Sequence, residues 1–303
     1  MAELEFKKPM LLSNDTFDLE TLDYTNMYES IKRDGVRGEV SRDGLLGRSL
    51  KQFRNTKLNE YFTDFINLVD DYYEDEIFEG EVYCDGIPCR EMAGICNSLD
   101  KDIPAGTKLY IFGVVDLELS FEARIKKLSF IQNTDKIKIV VQHRVNSAAQ
   151  AKAMYEMFLS QGYEGAVLMD GSKLYKQGRV TINQHIGFKL KPHKEEDLEI
   201  LGVNERFLNT NESQKNELGQ SFKRNTVDAK EATGIAATFN CLMADGKTET
   251  KVTITGTEAE RRAVWSNKDS YIGKYAVVKS MDYGAKDKLR HPTLITVKEK
   301  CEK

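Results

Sequence analysis

The chain has 303 residues, 40% hydrophobic and 30% charged, which is enough apolar material for a real core and a length that suggests two domains rather than one. A formal net charge of −4 excludes a protein that holds nucleic acid by a global positive field. No run approaches the roughly 18 apolar residues of a membrane span, and the start Met1-Ala2-Glu3-Leu4-Glu5 lacks a signal-peptide pattern, so a soluble protein in the cytoplasm is expected.

Charge is distributed unevenly. Residues 1–194 carry 26 Lys and Arg against 30 Asp and Glu, whereas residues 195–303 carry 18 of each, so nucleic acid would have to meet local basic patches. Five cysteines, Cys84, Cys89, Cys96, Cys241 and Cys301, are odd in number and form no C-x-x-C pair, which reads as reduced structural thiols.

In chain order, the first notable feature is the turn Lys32-Arg33-Asp34-Gly35-Val36-Arg37. The spacing then predicts a helix over 55–73, with Leu58, Tyr61, Phe62, Phe65, Leu68 and Tyr72 on one face and Asn55 or Thr56 as its cap. Runs rich in β-branched and aromatic residues predict strands over 77–83, 108–115 and 137–145. A second helix is predicted over 147–161, carrying Ala151, Met154, Phe158 and Leu159 and stopped by Gly162. Strands follow over 166–169 and 186–190. A boundary is expected at Pro192-His193-Lys194-Glu195-Glu196-Asp197, giving domains 1–194 and 195–303. Beyond it come strands over 198–203, 252–255, 275–278 and 294–297, and a polar surface loop over 209–231. The reading is α+β, rich in antiparallel sheet, with a small C-terminal barrel such as an OB-fold.

Lys32, two residues before Asp-Gly, sets an amine beside a carboxylate and a guanidinium, and Gly35 allows close backbone approach to a ligand. A lysine is a nucleophile only when neutral, so it needs cationic neighbours, a metal or partial desolvation. Taken alone, such a turn is a common surface feature. Further runs follow in order: Gly47-Arg48-Ser49, Phe78-Glu79-Gly80-Glu81-Val82-Tyr83, Tyr110-Ile111-Phe112, Tyr163-Glu164-Gly165-Ala166-Val167 and Phe188-Lys189-Leu190-Lys191. This ordered series resembles the motifs of the covalent nucleotidyltransferases: DNA ligases, RNA ligases and mRNA capping enzymes. Lys8-Pro9-Met10-Leu11, the Tyr175 to Arg179 element and Leu289-Arg290-His291-Pro292 narrow the resemblance to ATP-dependent DNA ligases of minimal, phage-like size. The setting would then be a host's cytoplasm if the chain is viral.

The resemblance implies that Lys32 carries AMP and that Lys189 and Lys191, alternating on one strand face, neutralise phosphate. Ile31, Lys32, Arg37, Arg48, Glu81, Phe112, Val167, Lys189 and Lys191 are expected to contact ATP, with Phe112 and Val167 on the two faces of adenine and Glu81 on the ribose. Glu164, Glu81 and Asp34 are expected to hold Mg²⁺, or Mn²⁺ in its place. Arg37, Arg48, Arg179 and Arg290 are expected at the DNA, where a guanidinium fork suits phosphate. The partner implied by the resemblance is nicked duplex DNA, and the protein is expected to be a monomer. An RNA ligase would share the lysyl-AMP chemistry, and a noncatalytic nucleic-acid-binding relative would share the fold.

Two positions depart from the family pattern. Gly113 stands where an aspartate usually follows the stacking aromatic, with Asp116 as a substitute; Ser30 stands where several relatives have a glutamate against adenine. Gly246-Lys247-Thr248 is read as a turn and not a phosphate loop. The four histidines show no metal spacing. Lys215, Lys223 and Arg224 are further candidates for DNA phosphates.

Overall fold

The computed structural model describes residues 8–13, 17–73, 76–215, 221–226, 229–283 and 288–299. Two compact units divide the chain, Met1–Lys191 and Pro192–Lys303, so the cut falls at the proline that opens the charged run.

The first unit is built from two sheets. Its elements begin with β1 (Met10–Leu11), β2 (Met27–Lys32), β3 (Val36–Ser41) and β4 (Gly44–Gly47), then α1 (Lys57–Tyr61), α2 (Thr63–Tyr72), β5 (Phe78–Tyr83), α3 (Cys89–Cys96), β6 (Lys108–Val114) and α4 (Phe121–Lys127). They continue with β7 (Ile137–Ile139), β8 (His143–Val145), α5 (Ala148–Ser160), β9 (Gly165–Asp170), β10 (Gly178–Arg179) and β11 (Gly187–Leu190). The five-stranded sheet has the order β4-β3-β5-β6-β7 and the four-stranded sheet the order β11-β9-β2-β8, while β1 pairs with β10.

Each sheet buries one face under helices. Leu58, Phe62, Phe65, Val69 and Met92 pack with Val40, Phe78, Val82, Leu109 and Ile111 of the larger sheet. Ala151 of α5 packs with Met27, Leu168 and Phe188 of the smaller one. Period-two alternation then turns the opposite faces, with Ser30, Lys32, Val167 and Lys189 on one sheet and Arg37, Glu79, Glu81 and Phe112 on the other, toward a shared cleft.

The expected helix over 55–73 is two helices. It breaks at buried Phe62, whose backbone (φ −103°, ψ 16°) leaves the helical region. Asn55 supplies the cap, its Oδ1 accepting from the Lys57 N–H at 3.2 Å, while Tyr72, expected on the buried face, is 74% exposed. The second helix starts where Ser147 accepts from the Gln150 N–H, and Gly162 at φ +84° ends it. The expected strand over 137–145 divides between the two sheets. Val140 breaks the alternation set by Ile137 and Ile139, is itself buried, and donates its N–H to Ile111 O at 2.7 Å; the chain then crosses to β8.

The second unit is a closed five-stranded barrel. Its strands β12 (Lys194–Asn209), β15 (Lys230–Leu242), β16 (Glu249–Thr253), β17 (Tyr275–Tyr283) and β18 (Leu289–Lys298) close in the order β12-β15-β16-β18-β17, an OB-fold arrangement. Leu198, Ile200, Phe239, Val252 and Val278 fill it. Helix α6 (Glu258–Ser266) stands between the third and fourth barrel strands and opens with a capping box from Thr257 and Glu260. Within the polar stretch 209–231 a hairpin of β13 (Ser213–Lys215) and β14 (Ser221–Lys223) takes the place of a plain loop; residues 216–220 and 227–228 lie outside the described residues, as do Lys300 and Cys301. Cys84, Cys89, Cys96 and Cys241 are free thiols. At Gly246 (φ +66°) the chain makes a turn in which Asp245 accepts from the Lys247 and Thr248 N–H groups, so this run cradles no phosphate.

Candidate active site

The cleft between the sheets of the first unit has a volume of about 290 Å³ and is lined by Ile31, Lys32, Arg37, Arg48, Glu81, Phe112, Val167, Lys189 and Lys191. All nine residues expected around ATP thus share one cavity. Strand register explains how residues so distant in sequence meet. Ser30 pairs with Val167 and Val167 with Lys189; Lys32 pairs with Gly165. Side chains in line across a sheet point to one face, so β2, β9 and β11 together make an amine-bearing wall. Gly165, at φ +155°, admits no side chain, since a Cβ there would stand 2.1 Å from Leu190 O.

Glu164 organises the mouth of this wall. Lys32 Nζ donates to its Oε2 at 2.6 Å and Lys191 Nζ to its Oε1 at 2.5 Å, while the Glu164 N–H donates to Lys32 O. The carboxylate therefore bridges two amines that would otherwise repel. Lys189, next along the strand face, is lowered to about 8 by burial and then by Lys191, Lys32, Arg179 and Arg48. This crowding of cations suits an anion with several phosphate charges.

The facing wall is different in kind. Arg37 donates to Glu79, and the Tyr175 hydroxyl donates to the same carboxylate oxygen at 2.5 Å while accepting from the Met10 N–H at 2.8 Å. The Arg37 guanidinium lies 4.7 Å from the Phe112 ring centroid, and Phe112 and Val167 both line the cleft. Glu81 is raised by burial, an effect opposed by Lys32 and Arg37 and reinforced by Glu164. Gly35 packs closely against this wall. A Cβ at Gly35 would fall 2.6 Å from the Glu81 side chain, and its N–H donates to Glu81, so a residue with a side chain at 35 would displace β5.

Other expected residues lie outside the lining. Asp34 sits in the turn after β2, and Arg179 is exposed on β10, close enough for its charge to reach Lys189. Arg290 lies on β18, in register with Met281, in the second unit. Asp116 does not replace the missing aspartate at 113. Its carboxylate accepts from the Glu118 and Leu119 N–H groups and pairs with Lys127 at 3.3 Å. Instead Glu79 Oε2 stands 3.3 Å from where a Cβ on Gly113 would be, so the neighbouring glutamate occupies that space.

Three groups escaped sequence reasoning. Arg124 is 1% exposed and lies between Phe121 and Tyr175 at 5.3 and 5.1 Å; its place at the basic end of α4 reads as solvated surface. Arg33, inside the Lys32 turn, stacks 3.7 Å from the Tyr110 centroid. Gln142 lines the cleft from the crossing before β8, and nothing in its local sequence marks it.

Residues 9–191, about the whole first unit, match the family model described as the ATP dependent DNA ligase domain. The chain belongs to the ATP-dependent DNA ligases. It is accordingly a ligase enzyme that uses ATP and acts on DNA. Its fold is similar to that of the Chlorella virus DNA ligase-adenylate, at 22% identity over 98% of this chain and 99% of that one, with a TM-score of 0.53. A ligase of the Lig E type aligns over 98% of this chain and 100% of its own at 17% identity and a TM-score of 0.66. The bacteriophage T7 ATP-dependent DNA ligase, solved with ATP, aligns over 96% and 98% at 17% identity and 0.50. No curated protein sequence matched significantly.

Proposed function

We propose that this ligase seals 3′-hydroxyl/5′-phosphate nicks in duplex DNA through an AMP carried on Lys32. The observation that carries the reading is the Glu164 bridge. It holds Lys32 and Lys191 on one carboxylate at the mouth of a cleft whose next lysine is Lys189 and whose opposite wall presents Phe112.

In the proposed sequence the Lys32 ammonium gives up a proton to solvent and the amine attacks the α-phosphorus of ATP; the new N–P bond forms as the bond to pyrophosphate breaks, and the nitrogen sheds a second proton to leave the phosphoramidate. Lys189 and Lys191 supply positive charge where it accumulates on phosphate oxygens. A 5′-phosphate oxygen then attacks the AMP phosphorus and releases the Lys32 amine. Finally the 3′-hydroxyl attacks the 5′-phosphorus, gives up its proton and expels AMP, leaving a phosphodiester. Purine stacking between Phe112 and Val167 would hold the base during the first step.

Among the described residues no group of three metal-ligating side chains comes together. Mg²⁺ commonly takes only one or two carboxylates and completes its shell with water and phosphate, and Glu164 with Glu81, whose charges sense each other, fits that modest donor set. A Mg²⁺ or Mn²⁺ held there would add charge neutralisation at the phosphates.

Arg48, Arg179 and Arg290 are proposed as phosphate contacts for DNA, which would make sealing strongly salt-dependent and nearly independent of sequence. A gel assay on a 5′-labelled nicked duplex with ATP and Mg²⁺ tests the reading. Sealing of a DNA nick is expected from a protein that runs as a monomer in light scattering. Sealing only when the 3′-hydroxyl strand is RNA would make it an RNA ligase, and AMP transfer without sealing of either would refute the nick-sealing assignment.

A further inference from the structure

Beside the lysines, the four-stranded sheet and the residue before β8 bring further side chains to the cleft, among them Ser30 and Gln142. β2 and β8 pair as Glu29 with His143 and Tyr28 with Arg144; continuing that register by one residue sets Gln142 beside Ser30. Ser30 pairs with Val167, and Val167 with Lys189. Lys189, Val167, Ser30 and Gln142 therefore form one row across the sheet, and all four line the cleft. Three inter-strand spacings of about 4.8 Å separate the ends of the row by about 14 Å.

The row is graded in chemistry. At one end is the lysine, next the apolar Val167, then a buried serine, and last a neutral amide. Gln142 Oε1 is shielded from solvent and accepts no hydrogen bond among the described residues. A buried acceptor left so is costly unless a ligand supplies a donor. The peptide that carries it is fixed on both sides, by the Val140 N–H bonded to Ile111 O at 2.7 Å and by β8.

We infer that Gln142 reads the exocyclic edge of the purine, its Oε1 accepting from the 6-amino group of adenine while Ser30 lies alongside the same edge. This rests on the proposed ATP cleft, with phosphates at the lysine end. An amide matches adenine because its acceptor and donor face the purine's amino group and an adjacent ring nitrogen together, as in major-groove recognition of adenine. Guanine presents two acceptors on that edge and leaves the Gln142 oxygen facing another oxygen. The feature also answers the departure at Ser30: the adenine contact that relatives draw from a glutamate in β2 is supplied here from the neighbouring strand.

Affinity in the Lys32→Ala background, where no AMP transfer can consume the nucleotide, provides the test. Calorimetry with ATP, GTP and purine riboside triphosphate, which lacks only the 6-amino group, should show ATP bound on the order of ten- to hundred-fold more tightly than the other two. Adding Gln142→Met should bring ATP down to the level of purine riboside triphosphate and leave the latter unchanged, so that the unaltered ligand reports an intact fold. Gln142→Glu, which keeps an acceptor, should retain the preference for ATP. A Gln142→Met protein that still prefers ATP, that loses both ligands equally, or that binds neither would overturn the inference. Intact mass of the protein with Lys32 present separates the two claims: no AMP adduct with the binding preference intact would count against the proposed chemistry and leave Gln142 standing.

Discussion

The two walls of the cleft handle charge in opposite ways. On the four-stranded sheet, Lys32 and Lys191 both pair with the carboxylate of Glu164, and Lys189 sits near further cations that, with burial, push its proton off early. On the five-stranded sheet, Arg37 is matched by Glu79, which Tyr175 also binds. Lysines are therefore grouped where phosphates would lie, whereas Arg37 on the facing wall is matched by its own carboxylate, so that wall can hold an aromatic ring in place without Arg37 competing for the anion. If that division is right, breaking one wall should cost stability and breaking the other should cost chemistry.

The largest effect is expected on the self-neutralised wall. Glu79→Ala leaves the half-buried Arg37 without its paired carboxylate and the buried Tyr175 hydroxyl without its acceptor, and should lower unfolding free energy by about 2–4 kcal/mol, measured by urea denaturation. A loss under about 1 kcal/mol, the level of an exposed pair, would show that the wall is not locked. On the lysine wall, Lys191→Met should leave the urea midpoint nearly unchanged and reduce the kcat/KM of AMP transfer to the protein by on the order of 10²–10³. A variant that unfolds early but retains AMP transfer would reverse the comparison.

A smaller effect lies on the helix-covered face of the lysine wall. Glu29 is fully buried, neither carboxylate oxygen has a partner among the described residues, and burial raises it from 4.5 to about 8. The folded protein keeps this proton until about pH 8, whereas the unfolded chain releases it near 4.5. Stability is thus lost as pH rises across that window. Glu29→Gln should raise the melting temperature at pH 8 and give no gain at pH 4.5; a gain independent of pH would contradict the burial argument.

The smallest effect concerns Lys189. Because burial and neighbouring cations lower it to about 8, the free protein carries the charge below that pH and loses it above. ATP association should weaken by up to about tenfold per pH unit as pH rises past 8, and Lys189→Met should flatten this limb.

How much of this was legible in sequence follows from where the information lies. Lys32, Lys189, Glu81 and Glu164 sit in short local runs that resemble ligase motifs in order, so they could be singled out before the strand register showed that they meet. Gln142 and Arg124 acquire their roles from the β2–β8 register and from burial between Phe121 and Tyr175, and no local pattern encodes either. The helix over 55–73 kept its periodicity through Phe62 although the backbone breaks there, because apolar spacing reports the buried face and not the dihedrals. Helix α6 carried a readable signal, Thr257 with Glu260, but its apolar stripe is thin, with only Val264 and Trp265 packed against the barrel core.

The central claim is that the Lys32 amine carries the AMP. Incubating the protein with ATP and Mg²⁺, digesting it and locating the adduct by tandem mass spectrometry tests this directly. A single AMP on the peptide containing Lys32, and none on the Lys32→Ala protein, is the predicted result. AMP on Lys189, Lys191 or any other residue, or an adduct that survives Lys32→Ala, would contradict the account.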